Sequence, residues 1–352
     1  MDFDPVLDVA RRLVDDGATP ACQVAVARDN EVVCFETFGA ATNNTRFCAW
    51  SATKPIVASA VWLLIGDGLL DPNRPVAHYV PEFATNGKEV VTVEQVLLHT
   101  SGFPNAPMDA LEGGDAVTRA KRFTEWRLEW EPGTRFEYHA TAAHWVLAEL
   151  IERLSGDDFR DFVEARVCAP NGLPRVLGLE REEQDDIAPA TPLGSPPVDS
   201  KVLHVDPTSL DGPAVRAAGV PGGGAIMTAA TMVRFYQALL HDPNDVWNAG
   251  VLRDAKTNVR CSFPDPLMQV PANRSLGLVL AGDDGLHQFR YAMFGKGNSP
   301  GSFGHAGAYS QVAWADPATG ISFSFLKNGL QADMMADAVN VIPITDAAAA
   351  LR

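Results

Sequence analysis

The chain is short of positive charge. It sets 28 Lys and Arg against 44 Asp and Glu, a formal net charge of −16 over 352 residues. That balance argues against nucleic acid or an anionic membrane as partners and, more mildly, against small polyanionic substrates. Cysteines are few: Cys22, Cys34, Cys48, Cys168 and Cys261 are scattered, odd in number and without metal spacing. They read as reduced, buried thiols of a cytoplasmic protein rather than a disulfide framework. The start, Met1 to Pro5, lacks the basic and apolar regions of a leader, and no lipidation motif ends the chain. The longest uncharged apolar stretch follows Lys54 and is too short to span a bilayer. There is no internal repeat, low-complexity tract or interdomain linker. No two histidines stand with an acidic residue at metal-site spacing, so neither a metal nor another cofactor is expected. Apolar residues, by contrast, are plentiful at 46%, enough for a large core in one domain or two lobes.

Residues 5–16 alternate apolar and charged positions at helical spacing. Strands follow at Cys22–Ala27 and Glu31–Glu36, with Arg28-Asp29-Asn30 as their hairpin turn. The middle reads as helical: Thr92 to His99 with Thr92 as cap, Ala142 to Leu154 ended by Ser155-Gly156, Phe159 to Cys168, and Thr228 to Leu240. Residues 180–221 are rich in Pro, Asp and Gly and read as an extended surface segment. Strands resume at 276–280, 310–314 and 321–326, the last two flanking a turn at Asp316 to Gly320, and a final helix covers about 331–341. Strands at both ends with helices between them imply an α+β sandwich. An antiparallel sheet would draw on about 1–50 and 265–352, with a mainly helical lobe over about 51–264 inserted and the active site between them.

Ser51-Ala52-Thr53-Lys54 carries the chemistry. Ser and Lys three apart share one helical face, and a neutral lysine there helps a serine become a nucleophile. The apolar run Pro55 to Ile65 makes a buried helix ended near Gly66 and Gly68, and Pro55 is tolerated only in a first turn. The helix therefore begins near Ser51, where free N–H groups favour an anion. The plain alternative makes Ser51 a cap and Lys54 a solvated first-turn residue. The same spelling recurs at Ser324-Phe325-Leu326-Lys327, inside an alternating strand, where side chains three apart point to opposite faces. That pair reads as structural.

Two further segments support the first tetrad. Trp130 to Ala140 places Tyr138 between a Pro132-Gly133 turn and an amphipathic helix, and Phe303 to Tyr309 places His305 among glycines beside a late strand. With Ser51-x-x-Lys54, then Tyr138-x-Ala140, then His305-x-Gly307 in this order, the chain resembles the serine β-lactamase and penicillin-recognising superfamily. The branch is that of class C β-lactamases, D-Ala-D-Ala carboxypeptidases and family VIII esterases. Val96 to Gly102, Pro132-Gly133-Thr134, Gly222 to Thr228 and the Asp316 to Gly320 turn extend the resemblance over most of the chain.

The resemblance implies a β-lactamase-like fold, Ser51 as acyl-accepting nucleophile, and Lys54 with Tyr138 as the proton-handling pair. Either a neutral Lys54 or a Tyr138 phenolate would serve as base, and the sequence leaves both open. It further implies an oxyanion hole from the Ser51 and Ala308 N–H groups, with Gly307 admitting the substrate. Two departures stand out. Ala140 replaces an asparagine that would hold an amide carbonyl, and His305 replaces a lysine, leaving a weaker, pH-dependent charge for a substrate carboxylate. Both favour esters or thioesters over β-lactams and peptides. The expected partner is thus a small-molecule ester, cleaved with water as second acceptor. Alternatives are a transacylase, a weak β-lactamase or peptidase, and a silent binding protein of the same fold. Nothing specifies an oligomeric state.

Phe103, Trp126, Trp130, Phe303 and Tyr309 flank the motifs. Each is more often core than ligand contact, with one or two expected to shape an acyl pocket alongside His305, Ala306 and Ala140. Gly297-Asn298-Ser299-Pro300-Gly301 matches the G-x-S-x-G elbow of another hydrolase class, but Pro300 has no N–H and no helix follows. Gly222-Gly223-Gly224 lacks the setting of a nucleotide loop and reads as close backbone packing or a substrate-side loop. His99 and His144 read as structural; His139 is expected to face the cleft or solvent.

Overall fold

The computed structural model describes residues 1–195, 209–291 and 293–352. Residues 196–208 of the expected extended segment lie outside the described residues. Around them that segment carries two short elements, β4 (Thr191–Leu193) and α8 (Pro213–Ala218).

The sheet is built from both ends of the chain. Its strands are β1 (Ala21–Arg28), β2 (Glu31–Gly39), β6 (Val279–Leu280), β7 (Phe303–Gly304), β8 (Val312–Asp316) and β9 (Ile321–Lys327). They run in the order β2-β1-β9-β8-β7-β6, and every neighbouring pair is antiparallel. The β1–β2 turn has positive φ at both Asp29 (54°) and Asn30 (64°), the twist a two-residue hairpin needs.

The two sheet faces differ in composition, and that difference decides what packs on each. Cys22, Val24 and Val26 of β1, Val312 and Trp314 of β8, and Ile321, Phe323 and Phe325 of β9 all point one way. They form a core with α1 (Asp4–Asp15) and α11 (Met334–Ala349). The opposite face carries Ala21, Ala25 and Ala27 with Ala313 and Ala315, small enough for a helix to approach closely. There α9 (Ala229–His241) lies across β1, β9 and β8. Its contact is partly polar: Gln237 Nε2 donates to Ala27 O and to Ser322 Oγ, and Ser322 Oγ donates to Val233 O at 2.9 Å. Gln23 joins them by accepting from Ala229 N at the start of α9.

Beyond this layer lie α2 (Lys54–Gly66), α3 (Val93–Leu97), α4 (Ala110–Gly114), α5 (Ala116–Glu125), α6 (Ala142–Ser155), α7 (Phe159–Val163) and α10 (Ala249–Thr257). Residues 54–64 of α2 are all buried, as a helix apolar on every side requires, with α6, α7 and α10 around it. Thr92 and Gln95 form a capping box on α3, and left-handed Gly156 ends α6. Two further pairs are small: β4 runs parallel to β10 (Gly329–Gln331), and β3 (Phe47–Cys48) antiparallel to β5 (Ile226–Met227).

Three expectations needed adjustment. The strand expected at 276–280 is only β6, because Gly277 (φ 91°) turns the chain against Ala58. The last helix starts later and runs through Pro343 to Ala349, since Ile344 and Ala348 bury against the sheet core. The helix expected at 159–168 is α7 followed by a π-helical stretch at Glu164–Cys168.

Candidate active site

Ser51 sits in a single 3-10 turn, Trp50–Thr53, that leads into α2 with Pro55 in the helix's first turn. The segment just before β5 locks this turn in place. Ala49 N donates to Ala225 O, and Ala225 N donates to Thr53 Oγ1, so 222–225 lies directly beside 49–54. Trp50 has a φ of +49°, a strained value for a bulky residue, and its ring packs edge-on against Tyr309 at 5.1 Å. Gly307 closes the other side: a Cβ there would lie 2.3 Å from Ala49 O. The loop after β7 therefore reaches the turn that carries Ser51. Among the described residues, neither Ser51 N–H nor Ala308 N–H has a protein acceptor.

Lys54 is 0% exposed, yet no carboxylate pairs with it among the described residues. Its Nζ lies 3.1 Å from Ser51 Oγ, and it donates to Ala140 O at 2.7 Å and Gly222 O at 2.6 Å. A neutral amine has two N–H bonds and one lone pair, so two carbonyls and one hydroxyl proton satisfy it completely. Burial, helped by the Arg274 charge, holds the Lys54 ammonium well below the usual lysine range. Gly222 is small because a Cβ there would crowd Ala140 O and Lys54 Nζ at 3.1 and 3.4 Å. The Gly222–Gly224 run is thus close backbone packing around the lysine.

Tyr138 stands over the same amine, its ring centroid 5.0 Å from Lys54 Nζ. The segment bearing it is bolted to residues 99–102. Gly133 N donates to Thr100 O, Glu137 N to His99 O, and His139 N to His99 Nδ1. Gly102 (φ 89°) lets the Trp130 carbonyl approach a missing Cβ at 2.4 Å. Burial pushes the Tyr138 hydroxyl up to about 12, with Arg274 and a hydrogen bond to Ser51 pulling the other way. His139 faces neither cleft nor solvent. It is fully buried, with Nε2 accepting from Phe103 N and Nδ1 2.6 Å from Glu137 O. Burial lowers it to about 4 and takes His99 and His144 well below the ordinary histidine value.

His305 reaches the site wall, its ring 6.1 Å from that of Tyr138, but not as a charge. Its Nε2 accepts from Arg274 Nη1 at 3.0 Å, and its Nδ1 lies 2.7 Å from Ala306 O. Burial and Arg274 together hold it neutral. The expected pH-dependent cation at this position is therefore replaced by Arg274, a residue that no motif marks. Two other expected pocket residues lie elsewhere. Phe103 is fully buried among Phe83, Trp126 and His139, and the Ala306 side chain packs toward the sheet core of α1 and α11. Tyr309 contacts Trp50, and Ala140 contributes its carbonyl. Ser299 is tied to Asp316 through its Oγ at 2.5 Å and its N–H at 2.9 Å, a turn anchor. All five cysteines are free, and among the described residues no His, Cys, Asp or Glu side chains gather as a metal site. No helix of the described residues is long and apolar enough to cross a membrane.

Comparison with known proteins bears on the family and the fold. The chain is 24% identical over 326 residues to the esterase/beta-lactamase LipL of Mycobacterium tuberculosis, covering 80% of this chain and 68% of that one. It is 30% identical over 283 residues to the esterase EstB of Burkholderia gladioli, covering 68% and 70%. The crystal structure of a family VIII carboxylesterase superposes with a TM-score of 0.81 at 23% identity, over 97% of this chain and 96% of the other. The fold is the β-lactamase-like α+β sandwich, and the Beta-lactamase family model matches residues 6–344, so this chain belongs to the beta-lactamase family.

Proposed function

We propose that this chain is a serine hydrolase that cleaves carboxylic esters through an acyl-enzyme on Ser51. The observation that carries this reading is the Lys54 amine, which spends two donors on Ala140 O and Gly222 O and turns its remaining position to Ser51 Oγ at 3.1 Å. Of the two bases left open by the sequence, this favours Lys54. Tyr138, pushed up to about 12, stays a phenol at neutral pH.

Acylation then runs as follows. Ser51 Oγ attacks the ester carbonyl carbon as Lys54 takes the hydroxyl proton. The resulting oxyanion is received by the Ser51 and Ala308 N–H groups, fixed in advance and otherwise without acceptors among the described residues. Collapse breaks the bond to the alkoxy oxygen, which leaves as alcohol after taking a proton from Lys54 through the Tyr138 hydroxyl. Water, deprotonated by the same pair, attacks the acyl carbon and releases the acid, restoring Ser51. Ala140 offers a substrate no side-chain amide, and His305 is neutral, so amide and β-lactam substrates gain less than esters do. The same reading treats 1–50 with 265–352 as a sheet lobe and 51–264 as a helical lobe, the site lying where they meet. It also places the protein in the cytoplasm, on the strength of its free, dispersed thiols.

EstB and LipL are named as esterases, which supports the ester reading. The test is a fluorophosphonate, with peptide mapping, on wild type and Ser51→Ala, alongside turnover of a short-chain aryl ester. Label on the Ser51 peptide, with labelling lost and turnover down by about 10³-fold or more in the variant, is expected. Full activity in Ser51→Ala would overturn the proposal. An added alcohol that speeds turnover and appears in the product would convert hydrolase to transacylase.

A further inference from the structure

Three arginines are fully buried: Arg119, Arg274 and Arg290. Arg119 is held by Glu149 at 2.8 Å and by Glu152, and Arg290 by Asp284. Burying a guanidinium is costly without such a partner. Arg274, 1% exposed, has no carboxylate partner among the described residues. Its Nη1 donates to His305 Nε2, while Nε and Nη2 have no hydrogen-bond partner among the described residues. Three rings surround its guanidinium instead, Phe136, Tyr138 and Tyr291, with centroids at 5.4, 5.3 and 5.2 Å. Cation–π contact replaces the missing anion only in part.

Its place in the site gives this arrangement a use. Arg274 and Lys54 Nζ lie 5.3 and 5.0 Å from the same Tyr138 ring centroid, and, being buried, they are screened by salt far less than surface charges. The other titratable groups around Lys54 come from every element packed on it. They are His99 after α3, Tyr138, His144 on α6 and His305 after β7, and the three histidines are all held neutral. Asp265, the acid whose charge reaches Tyr138, is engaged by the Tyr291 hydroxyl at 2.5 Å and by the Leu267 and Met268 N–H groups. Arg274 is thus the one fixed cation facing the amine among the described residues.

We propose that Arg274 is a positioning residue for the Ser51 reaction: its permanent charge, buried beside Tyr138 and without an anion among the described residues, opposes a second positive charge on the Lys54 amine, while its Nη1 fixes the tautomer of His305. Its test uses the pH dependence of kcat/KM and of fluorophosphonate labelling. Wild type is compared with Arg274→Met, with Arg274→Gln, which keeps an N–H for His305 but no charge, and with Arg274→Lys. Thermal unfolding of each confirms the fold. Removing the charge raises the affinity of Lys54 for its proton, so the acid limb moves to higher pH. Met and Gln are expected to shift it by roughly one pH unit, with activity recovered on the alkaline side, and Lys to leave it near wild type. A folded Met or Gln variant whose limb stays in place would overturn the inference. So would a KM that rises only for an anionic ester with the limb unmoved, since Arg274 would then be a substrate anchor. The inference rests on the Ser51 and Lys54 reading above, and the two fail differently. Label off Ser51 in wild type sinks that reading, whereas label on Ser51 with an unmoved limb sinks only the role of Arg274.

Discussion

The chain spells Ser-x-x-Lys twice, and in both places the lysine is buried. At Ser51–Lys54 the two side chains meet on one face of a helical turn, 3.1 Å apart. At Ser324–Lys327 they belong to β9, whose alternation separates them. Lys327 Nζ instead donates to Asp337 Oδ1 and Gly329 O, both at 2.7 Å, pinning α11 to the sheet. Ser324 Oγ has no hydrogen-bond partner among the described residues. The electrostatic settings diverge in the same way. Lys327 is lowered by burial but supported by the Asp337 charge, whereas Lys54 is lowered by burial and further by Arg274. One lysine is built to stay charged and hold structure. The other, in the proposed mechanism, is the one that gives up its proton.

Swapping each lysine for methionine should separate the two roles most sharply. Lys54→Met should keep its fold and lose about 10²–10⁴-fold in kcat/KM, measured on an aryl ester. Lys327→Met leaves Asp337 buried without its partner, a loss of about 3–5 kcal/mol by urea unfolding, with activity retained in the folded fraction. If Lys327→Met were inactive while fully folded, the contrast would fail.

The next difference is one of pH. The helical side of the site holds His99, His139 and His144 buried and neutral, while the sheet side relies on the Lys327–Asp337 pair. A histidine lowered on folding binds fewer protons in the native than in the unfolded chain. Its contribution is therefore complete above the unfolded value and lost as pH falls toward the folded one. For His139 that window runs from 6.5 down to about 4. At about pH 5 the loss is about 2 kcal/mol for this one residue, read as a falling urea midpoint. His139→Gln should flatten that slope; an unchanged slope would mean that the imidazole is not held neutral. The smallest effect concerns the third serine. Ser299→Ala should cost about 0.5–1.5 kcal/mol through its lost bond to Asp316 and leave kcat within about two-fold of wild type.

The parts of the site that follow local rules were legible in the sequence. Pro55 marks the start of α2, and the Pro132-Gly133 turn marks the approach to Tyr138. Strand alternation dismissed Ser324, and the proline after Ser299 dismissed the elbow. What stayed hidden depends on contacts across the fold. Arg274 lies in an irregular stretch, held by paired bonds to Cys261, and only the folded chain brings it to Tyr138 and His305. The charge of His305 could not be read without knowing what faces its Nε2. Phe103 is one of the aromatics flanking the motifs from which an acyl pocket is expected, and it packs inward against Phe83 instead. Helices α5 and α10 announce themselves mainly by caps, Asp115 and Asn248, since their own residues carry little apolar signal. The final helix, expected to end near residue 341, continues through Pro343 because packing of Ile344 and Ala348 outweighs the missing N–H.

The central claim is that Ser51 becomes covalently acylated during turnover. Wild-type protein turning over a short-chain aryl acetate, quenched in acid within the burst and mapped by peptide mass, tests it directly. The account predicts a mass gain of one acetyl group on the peptide containing Ser51, and none in Ser51→Ala. An acetyl group on the Ser299 or Ser324 peptide, or turnover with no covalent adduct on Ser51, would contradict it.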